Sequence, residues 1–307
     1  MSAATKLVKL NNGLVIPKLG LGTWQQTDTE LLKGLIKDAI KIGYRHIDTA
    51  TVYKNETAIG EALQEVFADE TGAYTNGSGP NGKIVREDIW VTSKLQPRDQ
   101  GYDNTIAAVN SSLKKLNLNY IDMYLIHWPG VGGCDPQDPK QIEIRKQSWL
   151  ALEKLVQEKK LRCIGVSNYQ IKHLEEMNGY ATIKPVINQC EFHPLLFTKD
   201  LLDYCGANGI QFQAYSSLGE GNLVNGKHNI EAVEDIAQKL KLSPAQILLA
   251  WGLQHNAIVL PKSSSKQRLI ANFESQFAEI PEEDMKKIDA VSKSKTVRFC
   301  WNPTTVI

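Results

Sequence analysis

Three segments of the chain carry polar side chains whose types suit proton transfer to a substrate. Asp48 and Tyr53 lie in the segment HIDTATVYKNE, Lys94 lies in VTSKL, and His127 lies in YLIHWP. A phenol has a pKa near about 10, and it becomes a useful proton donor near neutrality when a neighbouring cation stabilises the phenolate. Lys94 could supply that charge, and Asp48 would then hold Lys94 in place.

His127 adds a hydrogen-bond donor to this group. Its imidazole could hold the oxygen of a substrate carbonyl group and direct it towards Tyr53. Together the four side chains outline a site for reducing a carbonyl group. Each residue alone also has a structural interpretation, because a buried Asp–Lys pair, a scaffold histidine and a packing tyrosine are all common.

The order of elements predicts how these residues come together. Short apolar runs alternate with amphipathic stretches, which is typical of parallel strands linked by crossover helices. The predicted strands are Leu19–Thr23, His46–Ala50, Ile89–Thr92, Ile121–Ile126, Cys163–Ser167, Pro185–Gln189, Gln211–Tyr215 and Ala257–Leu260. Eight alternations favour an α/β fold of the (β/α)8 TIM-barrel type, in which functional residues follow the carboxyl ends of the strands.

Apolar residues that recur at intervals of three and four predict the helices between the strands. They cover Thr29–Ile42, Asn55–Val66, Tyr102–Leu116, Ile142–Glu158, Thr198–Ala207, Ile230–Leu240 and Pro244–His255. An Asn-Asn-Gly turn between Val8–Leu10 and Leu14–Ile16 predicts an N-terminal β-hairpin that closes the bottom of the barrel. The polar segment Ala68–Lys83 is interpreted as a lid, an interface or tolerated padding.

Composition narrows the class of protein. The 307 residues are 42% hydrophobic and 22% charged, which is typical of a globular protein, and we expect one domain over 1–307. The 35 Lys and Arg residues balance 34 Asp and Glu residues, so neither nucleic acid nor a membrane is an expected partner. Without a signal-peptide pattern or a long apolar run, we expect a cytoplasmic monomer or weak dimer.

The cysteines do not form a metal-binding or disulfide pattern. They are scattered, without C-x-x-C spacing, at Cys134, Cys163, Cys190, Cys205 and Cys300. Such spacing disfavours a disulfide framework and a thiolate zinc site, and we expect no metal. A metal-dependent TIM-barrel hydrolase is a rival interpretation, although it would need several His, Asp or Glu ligands where Lys94 and Tyr53 stand.

Motifs across nearly the whole chain resemble those of the aldo-keto reductases. In family order they are GLGTWQ, HIDTATVYKNE, VTSKL, YLIHWP, GVSN, NQCEFHP and LPKS. The resemblance implies that Asp48, Tyr53, Lys94 and His127 form a catalytic tetrad, with Tyr53 as the general acid in the reduction of a carbonyl group, that of small aldehydes and some ketones. It also implies an NADPH/NADP+ cofactor bound without the Rossmann fingerprint, whose third glycine is replaced here by Gln25.

The resemblance further implies where the cofactor binds. Ser167, Asn168 and Gln189 match contacts to the nicotinamide carboxamide, and Tyr215 matches the aromatic platform under that ring. Further cofactor residues by resemblance are Thr23, Trp24, Asp48, Ser216, Leu218, Ser263 and Asn272. Two positions depart from the family pattern, because Ser217 stands where many relatives have proline and Ala271 where many have glutamate.

Lys262 and Arg268 bear on which cofactor is used. With the serines between them they offer charged and hydroxyl donors to a ribose phosphate, which favours NADPH over NADH. The alternative interpretation is a solvated basic turn.

The resemblance places the substrate between aromatic walls. The expected substrate-binding residues are Trp24, Tyr53, His127, Trp128 and Trp301. The tail Thr296–Ile307 is expected to close one side of the pocket. Gln96 replaces a tryptophan of several aldehyde-reducing relatives, which favours short, polar or hydroxylated substrates. His193 is interpreted as a scaffold residue of the barrel. A nucleotide-sensing subunit that does not turn over stays open as the alternative function.

Overall fold

The computed structural model describes residues 5–307, and within them the predicted barrel is confirmed. An antiparallel hairpin of β1 (Leu7–Lys9) and β2 (Val15–Pro17) comes first. The barrel strands are β3 (Leu21–Gly22), β4 (His46–Asp48), β5 (Trp90–Leu95), β6 (Ile121–Ile126), β7 (Leu161–Ser167), β8 (Ile187–Glu191), β9 (Gln211–Tyr215) and β10 (Ile258–Val259). They are parallel and lie side by side in chain order.

The helices follow the predicted order. They are α1 (Thr29–Ile42), α2 (Glu56–Phe67), α3 (Tyr102–Leu116), α4 (Lys140–Gln157), α5 (Ile171–Met177), α6 (Lys199–Ala207), α7 (Glu231–Leu240), α8 (Pro244–Gln254), α9 (Lys266–Glu274), α10 (Glu282–Asp289) and α11 (Val291–Ser294). The helices α5, α9 and α11 were not predicted, because such short helices repeat the helical period too few times. Among the described residues, no helix is long and apolar enough to cross a membrane.

The barrel closes where the last strand meets the first. Isolated parallel bridges join Leu19 to Val259 and Gly22 to Lys262, and the Gly22 N–H donates to the Pro261 oxygen at 3.1 Å. The backbones approach so closely here that a Cβ atom on Gly22 would lie 2.7 Å from the Leu260 oxygen. Glycine is therefore required for closure at this point.

The N-terminal hairpin fills the bottom of the barrel, as the sequence analysis predicted. Leu10 and Ile16 are buried, and they pack with the barrel-interior residues Met123, Leu125 and Ile187. These contacts place the hairpin at the end of the barrel where the strands begin. The opposite end, where the strands finish, is left open for the polar residues.

The polar segment 68–83 also lies at the closed end. Arg45, just before β4, donates from Nη2 to the Thr75 oxygen at 3.3 Å, and the Ser78 N–H donates to the Asp88 carboxylate at 3.0 Å just before β5. The lid interpretation of Ala68–Lys83 is therefore wrong, since a connection from a helix to the next strand returns to the bottom of the barrel.

The hairpin provides a test of how much the plug stabilises the barrel. Ile16→Ala removes a fully buried side chain and is expected to lower the free energy of unfolding by about 2–5 kcal/mol. Val15→Ala is the matched control, because the neighbouring Val15 side chain is 48% exposed and its loss should change stability by less than about 0.5 kcal/mol. Urea unfolding measures the free energy of unfolding of both variants. Equal losses of stability would contradict the role of the hairpin in filling the bottom of the barrel.

Candidate active site

Asp48 and Lys94 form a buried ion pair at the carboxyl ends of β4 and β5. Lys94 Nζ donates to Asp48 Oδ1 at 2.5 Å and to the Thr49 backbone oxygen at 2.8 Å. From β8, on the opposite side of the barrel, Gln189 Nε2 donates to Asp48 Oδ2 at 2.8 Å. Burying two charges is tolerable only when their hydrogen bonds are satisfied in this way.

Tyr53 is positioned by a turn that directly follows β4. The turn is a short 3-10 helix, Thr51–Tyr53, and Thr51 Oγ1 donates to the Lys94 backbone oxygen at 2.8 Å. This bond ties the turn to β5. As a result, the Tyr53 hydroxyl lies 3.3 Å from Lys94 Nζ, within reach of a hydrogen bond from the ammonium group.

The electrostatic balance keeps a proton on both Tyr53 and Lys94. Burial raises the pKa of Tyr53, and the positive charge of Lys94 only partly opposes this rise. Burial alone would lower the pKa of Lys94, but the attraction of Asp48 and Tyr53 outweighs it and raises the pKa. The expected cation is therefore in place, but desolvation of the phenolate has the larger effect on the Tyr53 pKa.

His127 completes the group from the end of β6. Its ring centre lies 5.7 Å from that of Tyr53, and the Asn168 side-chain amide donates to the His127 backbone oxygen at 3.0 Å. Burial, with a contribution from the Lys94 charge, holds the pKa of His127 well below its usual range. The imidazole is thus neutral, and its Nδ1 atom has no hydrogen-bond partner among residues 5–307. A neutral imidazole beside a phenol can hold an uncharged carbonyl oxygen.

Aromatic side chains surround the mouth above these groups. Trp24 contacts Tyr53 with ring centres 4.8 Å apart, and Trp128 meets Trp301 edge to face at 6.1 Å. Trp301 is 78% exposed, so it borders open solvent. Gln96, which was expected to make the pocket more polar, donates from Nε2 to the Asp99 carboxylate at 2.7 Å.

The four residues expected at a nicotinamide ring form one connected network. The Tyr215 hydroxyl donates to Asn168 Oδ1 at 2.7 Å, Asn168 Nδ2 donates to Ser167 Oγ at 3.0 Å, and Ser167 Oγ donates to the Gln189 backbone oxygen at 2.8 Å. Asn168 directly follows β7 with a positive φ of 66°, a conformation that costs energy for most residues. The ends of β7, β8 and β9 thereby place an aromatic ring and amide groups beside the tetrad.

The loop after β9 has features that fit a bound ligand. Ser216 adopts a positive φ of 50°, and its hydroxyl lies 3.3 Å from Cys300 Sγ. The buried Ser217 hydroxyl has no hydrogen-bond partner within the described part of the chain. Leu218 is only partly buried in the same loop. An unpaired buried hydroxyl is costly, and a polar group of a ligand would satisfy it.

Lys262 and Arg268 lie on either side of a serine turn after β10. Both side chains are exposed, and within residues 5–307 neither forms an ion pair. Arg268, in the first turn of α9, donates from Nη2 to Ser264 Oγ at 2.7 Å. Two cations without acidic partners next to serine hydroxyls fit a phosphate group.

The remaining expected cofactor residues are less available. Thr23 Oγ1 donates to the Asp48 backbone oxygen at 2.9 Å, and Ser263 Oγ donates to the Ser265 oxygen at 2.9 Å. Asn272 is buried in α9. Their direct contact with a cofactor stays a prediction.

Two further residues shape the site without having been singled out in the sequence. One is Thr51, described above, whose signal is its place in the turn before Tyr53. The other is Glu191, a buried carboxylate at the end of β8 that contacts the C-terminal tail. An acidic residue inside an otherwise buried strand was the available signal for it. Among the described residues, no group of three or more His, Cys, Asp or Glu side chains is placed to hold a metal.

Stability measurements can isolate the ion pair. Lys94→Met leaves Asp48 buried without its cation and is expected to lower the free energy of unfolding by about 3–5 kcal/mol. Adding Asp48→Asn removes the stranded charge, so the double variant should be less destabilised than the sum of the two single variants.

The surface pair of Lys199 and Asp203 is the matched control for this cycle. Its atoms are also 2.5 Å apart, but both side chains are exposed. Lys199→Met should therefore change stability little. Additive effects of Lys94→Met and Asp48→Asn in guanidinium unfolding would contradict the coupling.

Comparison with known proteins places this geometry in a family. The model of the aldo/keto reductase family matches residues 18–293. A glyoxal reductase of Bacillus subtilis strain 168 is 43% identical over 290 residues, covering 94% of each chain.

Solved structures give the same result. The structure of MGS-M4, an aldo-keto reductase from a Medee basin deep-sea metagenome library, has a TM-score of 0.81 and 36% identity, covering 95% of this chain and 97% of that one. An aldo-keto reductase complexed with NADPH has a TM-score of 0.83 and 28% identity, covering 97% of this chain and 90% of that one. With matching sequence, matching barrel and the motifs all in order, the chain belongs to the aldo/keto reductase family.

Proposed function

We propose that the protein is an NADPH-dependent reductase that converts small aldehydes to alcohols. The observation that carries the proposal is the position of Lys94, which bonds Asp48 on one side and reaches the Tyr53 hydroxyl on the other. This arrangement lets a protonated phenol face the same space as the neutral imidazole of His127. Such a pair suits a carbonyl oxygen that gains negative charge during reduction.

In the proposed mechanism each residue has a separate task. The cofactor NADPH, when bound, supplies the hydride. His127 donates a hydrogen bond that orients the carbonyl oxygen, and Tyr53 gives that oxygen its proton. Lys94 stabilises the phenolate that remains, and Asp48 keeps Lys94 fixed and charged. The aromatic side chains at the mouth exclude water from one side of the reacting carbonyl.

The cofactor assignment rests on the two ends of the binding groove. The network of Ser167, Asn168, Gln189 and Tyr215 would hold the nicotinamide ring beside Tyr53. At the far end, exposed cations and serine hydroxyls offer several donors to a phosphate on the adenine ribose. The related structure complexed with NADPH supports this choice of cofactor.

We propose short, polar aldehydes as the substrate class. The glyoxal reductase from Bacillus subtilis, at 43% identity, supports a small dicarbonyl compound. Trp301 at the mouth is 78% exposed, so this side of the site stays accessible to small, polar substrates. Gln96 stays the expected polar residue for such substrates, and its amide group donates to Asp99.

Removing one hydroxyl group tests the general acid. Tyr53→Phe is expected to reduce kcat for glyoxal by about 10²–10⁴-fold, because the proton donor is lost, while NADPH affinity stays unchanged. Tyr169→Phe is the matched control, since the buried Tyr169 hydroxyl lacks a hydrogen-bond partner among residues 5–307. Oxidation of NADPH is followed by absorbance, and cofactor affinity by fluorescence.

The same assay separates the two functions considered. Turnover that survives in Tyr53→Phe would overturn the assignment of the acid. Tight NADPH binding with no turnover of any aldehyde by the unmodified protein would favour a nucleotide-sensing subunit instead.

A second variant tests the cofactor preference. Arg268→Ala should weaken NADPH binding by about 10- to 100-fold, the effect of one lost hydrogen bond to a charged group, while NADH binding changes little. Lys266→Ala is the control from the same turn, because Lys266 pairs with Asp38 at 3.1 Å. Equal losses for NADPH and NADH would show that Arg268 does not contact the additional phosphate.

A further inference from the structure

Glu191 is a buried carboxylate with no place in the proposed chemistry. It ends β8, two residues after Gln189, and its side chain is fully buried. A carboxylate is rarely buried unless several donors surround it. The groups that face Glu191 explain why a carboxylate can be buried at this position.

Most donors to Glu191 come from the C-terminal tail. The Phe299 N–H donates to Oε1 at 2.6 Å, while the Cys300 N–H donates to Oε2 at 3.3 Å and Arg298 Nη1 to the same oxygen at 3.4 Å. His193 Nε2 lies 3.0 Å from Oε1. Two consecutive backbone amides of the tail are thereby held by one side chain of the barrel.

The tail segment that Glu191 holds contacts both halves of the binding groove. The Phe299 ring packs so closely on Gly219 that a Cβ atom there would lie 2.7 Å from it. Cys300 Sγ lies 3.3 Å from the Ser216 hydroxyl. The next residue, Trp301, meets Trp128 at the substrate mouth. When residues 298–300 are held in place, the contacts that this segment makes at the mouth are therefore held in place as well.

A second attachment lies at the far end of the tail. His173 Nε2 lies 3.1 Å from the Val306 backbone oxygen, and the Ile307 N–H donates to the Pro136 oxygen at 2.9 Å. Trp301 lies between this attachment and Glu191 and is 78% exposed, so its own packing holds it weakly. Its position depends on the attachments at either side.

We propose that Glu191 is a positioning residue that fixes the tail so that Trp301 forms the outer wall of the substrate pocket against Trp128. This inference rests on the proposed reductase function for its substrate effect. The hydrogen bonds of the Glu191 side chain go to His193 and the tail, and not to the tetrad or the expected nicotinamide network. Its loss should therefore alter substrate binding and leave the chemical step intact.

The kinetic test uses a double-mutant cycle. Glu191→Gln should raise the KM for phenylacetaldehyde about tenfold, through lost aromatic contact with Trp301, with kcat within about twofold. The KM for glyoxal, which is too short to reach the wall, should change less. In a Trp301→Ala background, Glu191→Gln should have no further effect on KM. Additive effects on KM would overturn the proposed route through Trp301.

A second readout needs no activity. Glu191→Gln should release the tail and accelerate the labelling of Cys300 by a thiol reagent about tenfold, as quantified by peptide mapping. A tenfold change corresponds to one lost hydrogen bond to a charged acceptor. Unchanged labelling in Glu191→Gln would overturn the anchoring role. If the unmodified protein reduces neither aldehyde, the proposed function fails, while the labelling still decides whether Glu191 holds the tail.

Glu153→Gln is the matched control for a purely structural effect. Glu153 is also buried and accepts hydrogen bonds from two consecutive backbone amides, those of Thr182 at 2.7 Å and Ile183 at 2.8 Å. These amides lie near the start of β8, whereas Glu191 lies at its end. The Glu153→Gln variant should be less stable, without a change in the KM values or in Cys300 labelling. If Glu191→Gln does not fold, Glu191→Asp, which withdraws the carboxylate from the tail, should show the same changes in KM and labelling. Equal KM and labelling changes in Glu153→Gln would overturn the proposal.

Discussion

A buried ion pair between Asp48 and Lys94 is the constraint on which the rest of the site depends. Neither charge reaches water, so both must be compensated from within the barrel. The compensation comes from the Thr49 backbone, the Tyr53 hydroxyl and, across the barrel, Gln189. Because Gln189 reaches Asp48 only when the barrel is closed, barrel closure and the charge state of the site support each other.

The two ends of the barrel have separate roles. The end where the strands begin is sealed by the hairpin, with Ile16 among the interior side chains. The polar segment 68–83 bonds to Arg45 at the same end. The end where the strands finish carries the polar network, and two of its residues, Asn168 and Ser216, have positive φ. Strained backbone at the open end is tolerated because the packed core and the closed end supply the stability.

The expected substrate and cofactor residues are linked through the C-terminal tail. The tail contacts the loop after β9 through Phe299 and Cys300, and it contacts the substrate mouth through Trp301. Such a segment has little buried surface of its own, so hydrogen bonds to buried groups decide its position. A carboxylate at a strand end provides these bonds and leaves the reacting groups untouched.

The sequence by itself determined the element order and indicated Asp48, Lys94 and His127 as candidate site residues, because alternating apolar patterns and strand-end residues are local signals. Most predicted elements lie within two residues of those in the structure. The short helices α5, α9 and α11, the location of the polar segment 68–83 and the role of Glu191 were not predicted. The tertiary structure alone decided the protonation balance, since burial outweighs the Lys94 charge at Tyr53. It also decided which groups donate to Glu191, such as the Phe299 N–H, which is 108 residues away along the chain. Desolvation and long-range contacts depend on the folded surroundings and not on local sequence.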